Sequence, residues 1–508
     1  PLPTGPSPLP TGHSPLPPPR CAQPPYDRLP IPRADIPEGI ILSREATHYL
    51  HEDEIPIVTF TEANGKPLKI KVQNEEGKKE EVVVKGPAVA LPLYQGVMIW
   101  QLNSCVSDYL KGATHSARWE RRSQYEEFLP EPQFAMGHAV AKFSTPGSVS
   151  SRIAYRAVQN ATNQRTMICS LLPQAPAGNS LGVIHPGKIA GMTLPIFMND
   201  FAYDYALRPR MSQANLNWFI LEETPVPNHK LIDGIYSIAM KLTIGMSICN
   251  VVSSILWLTL PKCKLEGHWR SLWAATEHER IRLRCVGDAI SLSVRGLEIQ
   301  DVARMIKDCD HSLEAMQNSK FASTLYVKGF WRVDKDKLPE HRHTVLTLVA
   351  FDDLQEKIAA CGGDVDKGIE AFCAQNDGEG WMLPETLRLA DYGLGHDDRA
   401  KEHQPVRECF GPRFYDWQLA QSPEESWREC HLHARNLLGK GGYEALLAEL
   451  AGETTPQAAT AKTPTTSSPN TKPPASHDAY GQLHLGGRGF DEDIPLLQEK
   501  DEDVREEQ

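Results

Sequence analysis

An α+β fold is predicted by three features of the chain. Charged and apolar residues alternate between Ile40 and Leu93; strand and helix spacings then mix as far as residue 230; after Pro227 the pattern is mainly helical. The two ends cannot bury a core, being Pro-rich at the start and Thr/Pro/Ser-rich, then acidic, beyond Gly452. The 508 residues therefore divide into a disordered Pro-rich segment (1–34), a small β-rich piece (35–92), a mixed domain (93–230), a mainly helical region (231–450) and a disordered acidic tail (451–508). At about 100 to 200 residues per domain, two or three domains fit this length.

The elements follow in order. IPIVTF (Ile55–Phe60) and EEVVVKG (Glu80–Gly86) have strand composition, the second after a polar turn at Asn74–Gly77. Strands are expected around Arg152–Arg156 and Thr166–Leu172. Phe201 and Tyr205 stand four apart, a helical spacing, whereas NLNWFIL (Asn215–Leu221) has the look of a strand closing on PVP. Val302, Met305, Ile306 and Cys309 follow the i, i+3, i+4, i+7 rule of an amphipathic helix, and HTVLTLVAFDDLQEKI from His343 is a further helix candidate. Nineteen residues without a charge, Leu242–Leu260, approach the length that spans a bilayer. Asn250 and several Ser and Thr interrupt them and no basic cluster flanks them, which favours a buried helix and no membrane.

Eleven cysteines without CxxC pairs fit reduced thiols and a cytoplasmic setting, and no metal or secretion signal is expected. The formal charge is -12, but the acids gather in DEDIPLLQEKDEDVREEQ at the end. Between Gln101 and Asn250, 13 Lys and Arg face 10 Asp and Glu. Local balance decides what binds there, and it leaves an anionic partner open.

Two clusters stand out inside that segment. NATNQRT (Asn160–Thr166) and RPRMSQANLNW (Arg208–Trp218) join basic and amide side chains with no acid between them, and each runs into an apolar stretch. Arg suits guanine edges or phosphates, Asn suits adenine edges and Thr either, so the pattern fits a DNA-contacting surface. An equally physical reading has Asn and Thr filling turns and Arg165 closing a salt bridge. Arg156, Asn163, Arg165, Thr166, Arg208, Arg210, Asn215 and Asn217 are the candidate DNA contacts, while Tyr155 and Trp218 are assigned to packing. If Arg208 reads a base, Arg208→Ala should weaken specific binding by about 1 to 3 kcal/mol.

Three ordered phrases, LYQGVMIWQLN (Leu93–Asn103), AYRAVQNATNQRTMICSLLP (Ala154–Pro173) and MNDFAYDYALRPRMSQANLNWFILEETPVP (Met198–Pro227), resemble the target-recognition portion of large adenine-specific DNA methylases. These are the type IIG restriction-modification enzymes and their relatives in phage-exclusion systems. The resemblance continues through GFWRVDKDKLPEHRHTVLTLVAFDDLQ (Gly329–Gln355), and the chain departs from it at Gln95, Gln159 and Asn199-Asp200. It implies that 93–230 is a DNA target-recognition domain with double-stranded DNA as partner. It also implies S-adenosylmethionine as cofactor of the parent enzyme, bound by a catalytic methylase domain upstream of Pro1. This chain has no Gly-rich turn after a strand, and its QPPY (Gln23–Tyr26), which resembles the [DNS]PPY element, follows no apolar strand. No catalytic or cofactor-binding residue is therefore assigned here. The competing reading is a non-enzymatic DNA-binding or assembly subunit of a defence complex.

Other chemistry is weaker. Cys430, His431 and His433, and the pair His341 and His343, lack zinc spacing and are expected to be solvated or capping residues. RVDKDK (Arg332–Lys337) has the alternation of a solvated charged loop, and FGPRFYDW (Phe410–Trp417) that of an aromatic turn.

Overall fold

The computed structural model describes residues 31–32, 41–42, 57–59, 66–67, 69–73, 79–83, 85–87, 89–112, 116–121, 130–137, 152–173, 175–184, 190–211, 214–227, 236–247, 249–259, 267–274, 277–376, 380–382 and 421–451. QPPY and FGPRFYDW lie outside them. Two units are distinguished, Pro1–Glu453 and Thr454–Gln508, and the described residues all belong to the first.

The fold is mixed α/β. Strands β1 (Ile31–Pro32), β2 (Ile41–Leu42), β3 (Ile57–Thr59), β4 (Lys69–Gln73), β5 (Lys79–Val83), β6 (Lys85–Pro87), β7 (Val89–Pro92), β8 (Ser107–Lys111), β9 (Arg118–Arg121) and β10 (Phe134–Gly137) precede β11 (Arg152–Arg156), β12 (Cys169–Leu172) and β13 (Leu181–Ile184). One sheet has the order β1-β10-β7-β2, with β2 parallel to β7 and the other neighbours antiparallel. A second, antiparallel throughout, has the order β12-β11-β13, and β3-β6, β4-β5 and β8-β9 pair as two-stranded ribbons. β12 (CSLL) is buried along its whole length, with the helix Ala190–Met198 packed against it and β11 paired beside it. A strand covered on both faces has no reason to alternate.

The helices are α1 (Ala190–Met198), α2 (Phe201–Leu207), α3 (Trp218–Glu222), α4 (Tyr236–Ser247), α5 (Asn250–Thr259), α6 (Glu277–Val294), α7 (Ile299–Met305), α8 (Leu313–Gln317), α9 (Ser319–Ala322), α10 (His343–Ala360), α11 (Val365–Cys373) and α12 (Pro423–Leu450). α6 packs on α10, and α12 packs on α5. One core cluster runs from Val89 through Leu171, Met198 and Trp257 to Cys430 and Leu446, so strands and distant helices share it. A second gathers Phe197, Cys285, Ile290, Phe351 and Phe372.

Three expectations change. Asn215–Leu221 is not a strand: Asn215 makes an isolated bridge to Val158, and Trp218 opens the helix α3. The uncharged stretch from Leu242 is buried but divides into two helices, α4 ending at Ser247 and α5 starting at Asn250. Among the described residues no helix is long and apolar enough to cross a membrane. His343 and His433 are buried, not solvated, and each faces a carboxylate: His343 Nε2 lies 2.7 Å from Asp288 and His433 Nε2 lies 3.5 Å from Glu429.

Candidate nucleic-acid interface

Asp200 caps α2 by accepting from the Tyr203 amide, and it also accepts from Ser291 and from Arg295 at 2.8 Å. The cap fixes the start of α2 and thereby aims Asp204, one turn on, at the loop before β12. There the Asp204 carboxylate takes hydrogen bonds from Arg165 Nε at 3.0 Å, Arg208 Nε at 2.7 Å and the Thr166 amide at 2.9 Å. Burial alone would push this carboxyl up, but the Arg208 and Arg165 guanidiniums outweigh it and hold it below its ordinary value. Arg165 lies over Phe201 and Arg208 over Phe330, at 4.2 and 4.0 Å from the ring centres.

Arg165, Thr166 and Arg208 are only 3%, 0% and 2% exposed. In this structure they are turned inward: their donors go mainly to Asp204 and to backbone carbonyls, with Arg165 Nη1 buried and unpartnered. Arg165 donates to Asn199 O, and Thr166 donates to Asn160 O. Arg208 donates to Asn163 O, Gln164 O, Lys328 O and Gly329 O, and thus ties two loops to α2. Arg332 adds a bond from the second loop to Thr162 O at 2.7 Å. The acid that claims both arginines stands 39 residues from Arg165 but only four before Arg208, so distance along the chain hides it from the first cluster alone.

Solvent meets a different set. The turn after β11 is an Asx turn, with Asn160 Oδ1 accepting from the Thr162 amide at 3.0 Å. Asn163 is half-buried and donates to Gln159 Oε1 at 2.7 Å. The segment 157–159 runs beside 214–216, with Leu216 N donating to Ala157 O, Gln159 N to Ala214 O, and Val158 bridging Asn215. The two polar clusters are therefore neighbours in space. Arg210, Asn215 and Asn217 are exposed there. Asn217 occupies the cap position of α3 but its side chain makes no cap bond, so the amide is turned to solvent. Trp218 and Phe219 are 52% and 48% exposed and meet edge to face, whereas Ile220 and Leu221 anchor the helix in the core. Trp218 was assigned to packing, and the structure places it outside; Tyr155 is buried at the centre of its sheet. Nothing in the four-residue apolar run WFIL marks which of its members face outward.

Arg156, at the end of β11, is half-buried and donates to Ile99 O through Nε at 3.1 Å and Nη2 at 2.7 Å. Burial, with the nearby Arg121 charge, pulls its pKa down to about 10. Among the described residues no group of three or more His, Cys, Asp or Glu is arranged to hold a metal ion.

No family model matches the chain. No solved structure matches it. Over 68 residues, 13% of this chain, the sequence is 34% identical to the Sec-independent protein translocase protein TatA of Bartonella quintana (strain Toulouse). The chain covers 66% of that protein, just under two thirds of its length, and a likeness of this extent assigns no family.

Proposed function

We propose that the edge formed by segments 157–163 and 214–219, with Arg210, contacts double-stranded DNA, as the target-recognition portion of an N6-adenine DNA methyltransferase of a restriction-modification or phage-defence system. The methyl donor S-adenosylmethionine and the catalytic domain belong to the upstream part of that parent enzyme. The observation that carries the DNA reading is the meeting of the two amide-rich clusters at one solvent-facing edge, with Arg210, Asn215 and Asn217 exposed along it. The methylase assignment rests on the ordered phrases between Leu93 and Pro227.

On this reading the buried Asp204 node is a frame and the exposed amides are the contacts. Amides recognise adenine edges in pairs of hydrogen bonds, and Arg210 supplies a cation for the flanking phosphate. Binding of a labelled duplex across a salt series tests the proposal. A steep fall in affinity with salt, weakened by Arg210→Ala, is the expected result.

A second reading, a protein-assembly module, has its own support. Glu222 and Glu223, on the turn after Trp218 and Phe219, are exposed, and an aromatic pair beside two acids suits a basic protein surface. Little duplex affinity at any salt would favour it.

A further inference from the structure

Two cations meet at one aromatic ring beside the end of β11. Arg121, the last residue of β9, lies with its guanidinium carbon 5.7 Å from the Trp100 ring centre, and Arg156 lies 5.0 Å from the same centre. Trp100 is half-buried and Arg121 is exposed. Pairing in the β8-β9 ribbon sets Arg121 opposite Ser107 and Glu120 opposite Asp108. Side chains alternate along a strand, so the two acids lie on the opposite face from Arg121. Among the described residues no carboxylate forms an ion pair with either arginine. Arg156 is held in place by Ile99 O, and its proximity to Arg121 is repulsive. Like charges gathered around a ring, with no acid paired to them among the described residues, are arranged for an anion brought from outside.

We propose that the Arg121 and Arg156 guanidiniums, set about the Trp100 indole, seat a phosphodiester group of bound nucleic acid. The inference rests on the DNA reading above and adds a second backbone contact to that of Arg210. The strand supplies continuity: Arg156 ends β11, and two residues later Val158 bridges Asn215 at the amide edge. One nucleic-acid strand lying along this path meets the clamp with its backbone and the amides with its bases. A phosphate contact carries no sequence information, so its loss should weaken all duplexes alike.

The test is anisotropy titration of the full chain and of Arg121→Ala with two duplexes of unrelated sequence, over a salt series. Arg121 is exposed, so its replacement leaves the fold intact, and Arg121→Lys keeps the charge as a control. The expected result is that Arg121→Ala weakens both duplexes by the same factor and lowers the slope of log affinity against log salt by about one, with Arg121→Lys largely restoring it. If the wild type binds duplex and Arg121→Ala changes neither affinity nor slope, the clamp is overturned and the DNA reading stands. If the wild type binds no duplex at any salt, the DNA reading falls and the phosphodiester assignment with it. Inorganic phosphate raising the melting temperature of such a wild type, but not of Arg121→Ala, would make the pair a free-anion site and likewise overturn the phosphodiester.

Discussion

Replacing Asp204 with Ala strands two buried guanidiniums, Arg165 and Arg208, that now share its carboxylate. Removing one partner of a buried ion pair costs about 3 to 5 kcal/mol, because the remaining charge has no water to turn to. Asp204→Ala is therefore expected to lower the unfolding free energy by at least that much in denaturant titration. Arg210→Ala, at an exposed position, should stay within about 0.5 kcal/mol of wild type. Arg208→Ala separates scaffold from reader. Its burial predicts a loss of stability first, and any loss of DNA affinity by the folded protein should follow from the loosened loop at Asn163 and Gln164. A variant as stable as wild type with impaired DNA binding would contradict the inward placement.

α12 is held to the rest of the chain by a buried carboxylate as well as by its apolar face. Glu429 accepts from Arg270 at 3.1 Å and lies 3.4 Å from His268 and 3.5 Å from His433. Burial would raise its pKa, but hydrogen bonds from His268 and His433 and the Arg270 charge hold it well below the ordinary 4.5. Burial, the largest influence on His268, keeps that imidazole below its ordinary 6.5. Both signs agree. Stability from His268 is lost as pH falls below 6.5, where the unfolded imidazole gains a proton that the folded one resists; stability from Glu429 is lost as pH falls below 4.5. Amide exchange in α12 should therefore accelerate on acidification from pH 7, and Glu429→Gln should flatten the part below 4.5. Between α10 and α11 the constraint is steric. A Cβ on Gly368 would sit 2.7 Å from Ile358 Cα and 2.3 Å from its Cγ1, so Gly368→Ala should destabilise by about 1 to 3 kcal/mol in thermal melts.

The elements differ in how far they were legible in the sequence. The start of α10 follows from the placement of His343 onward. The spacing from Val302 to Cys309 marks a helix, but α7 closes at Met305 and leaves Cys309 beyond it. α3 has the composition of a strand, since WFIL is too short for its spacing to separate the two forms. The break between α4 and α5 left no charge or proline to mark it. At the candidate site the residue types were legible but their directions were not, because burial of Arg165 and Arg208 is decided by Asp204 and by carbonyls more than a hundred residues away at Lys328 and Gly329.

For the whole molecule, the expected measure is the ionic-strength dependence of duplex binding, because net charge is -12 while the segment from Gln101 to Asn250 carries an excess of cations. Added salt should weaken DNA binding by relieving local contacts even though the molecule as a whole repels the duplex. Arg208 and Arg332 grip the loop from Thr162 to Gln164 only by its main-chain carbonyls. A mooring of that kind is indifferent to spelling. Every residue carries the same carbonyl, so Gln164 can be exchanged for other amino acids while the loop keeps its course. The fold thus behaves as a typesetter's frame, in which letters facing the reader are replaceable and the frame that locks them is not.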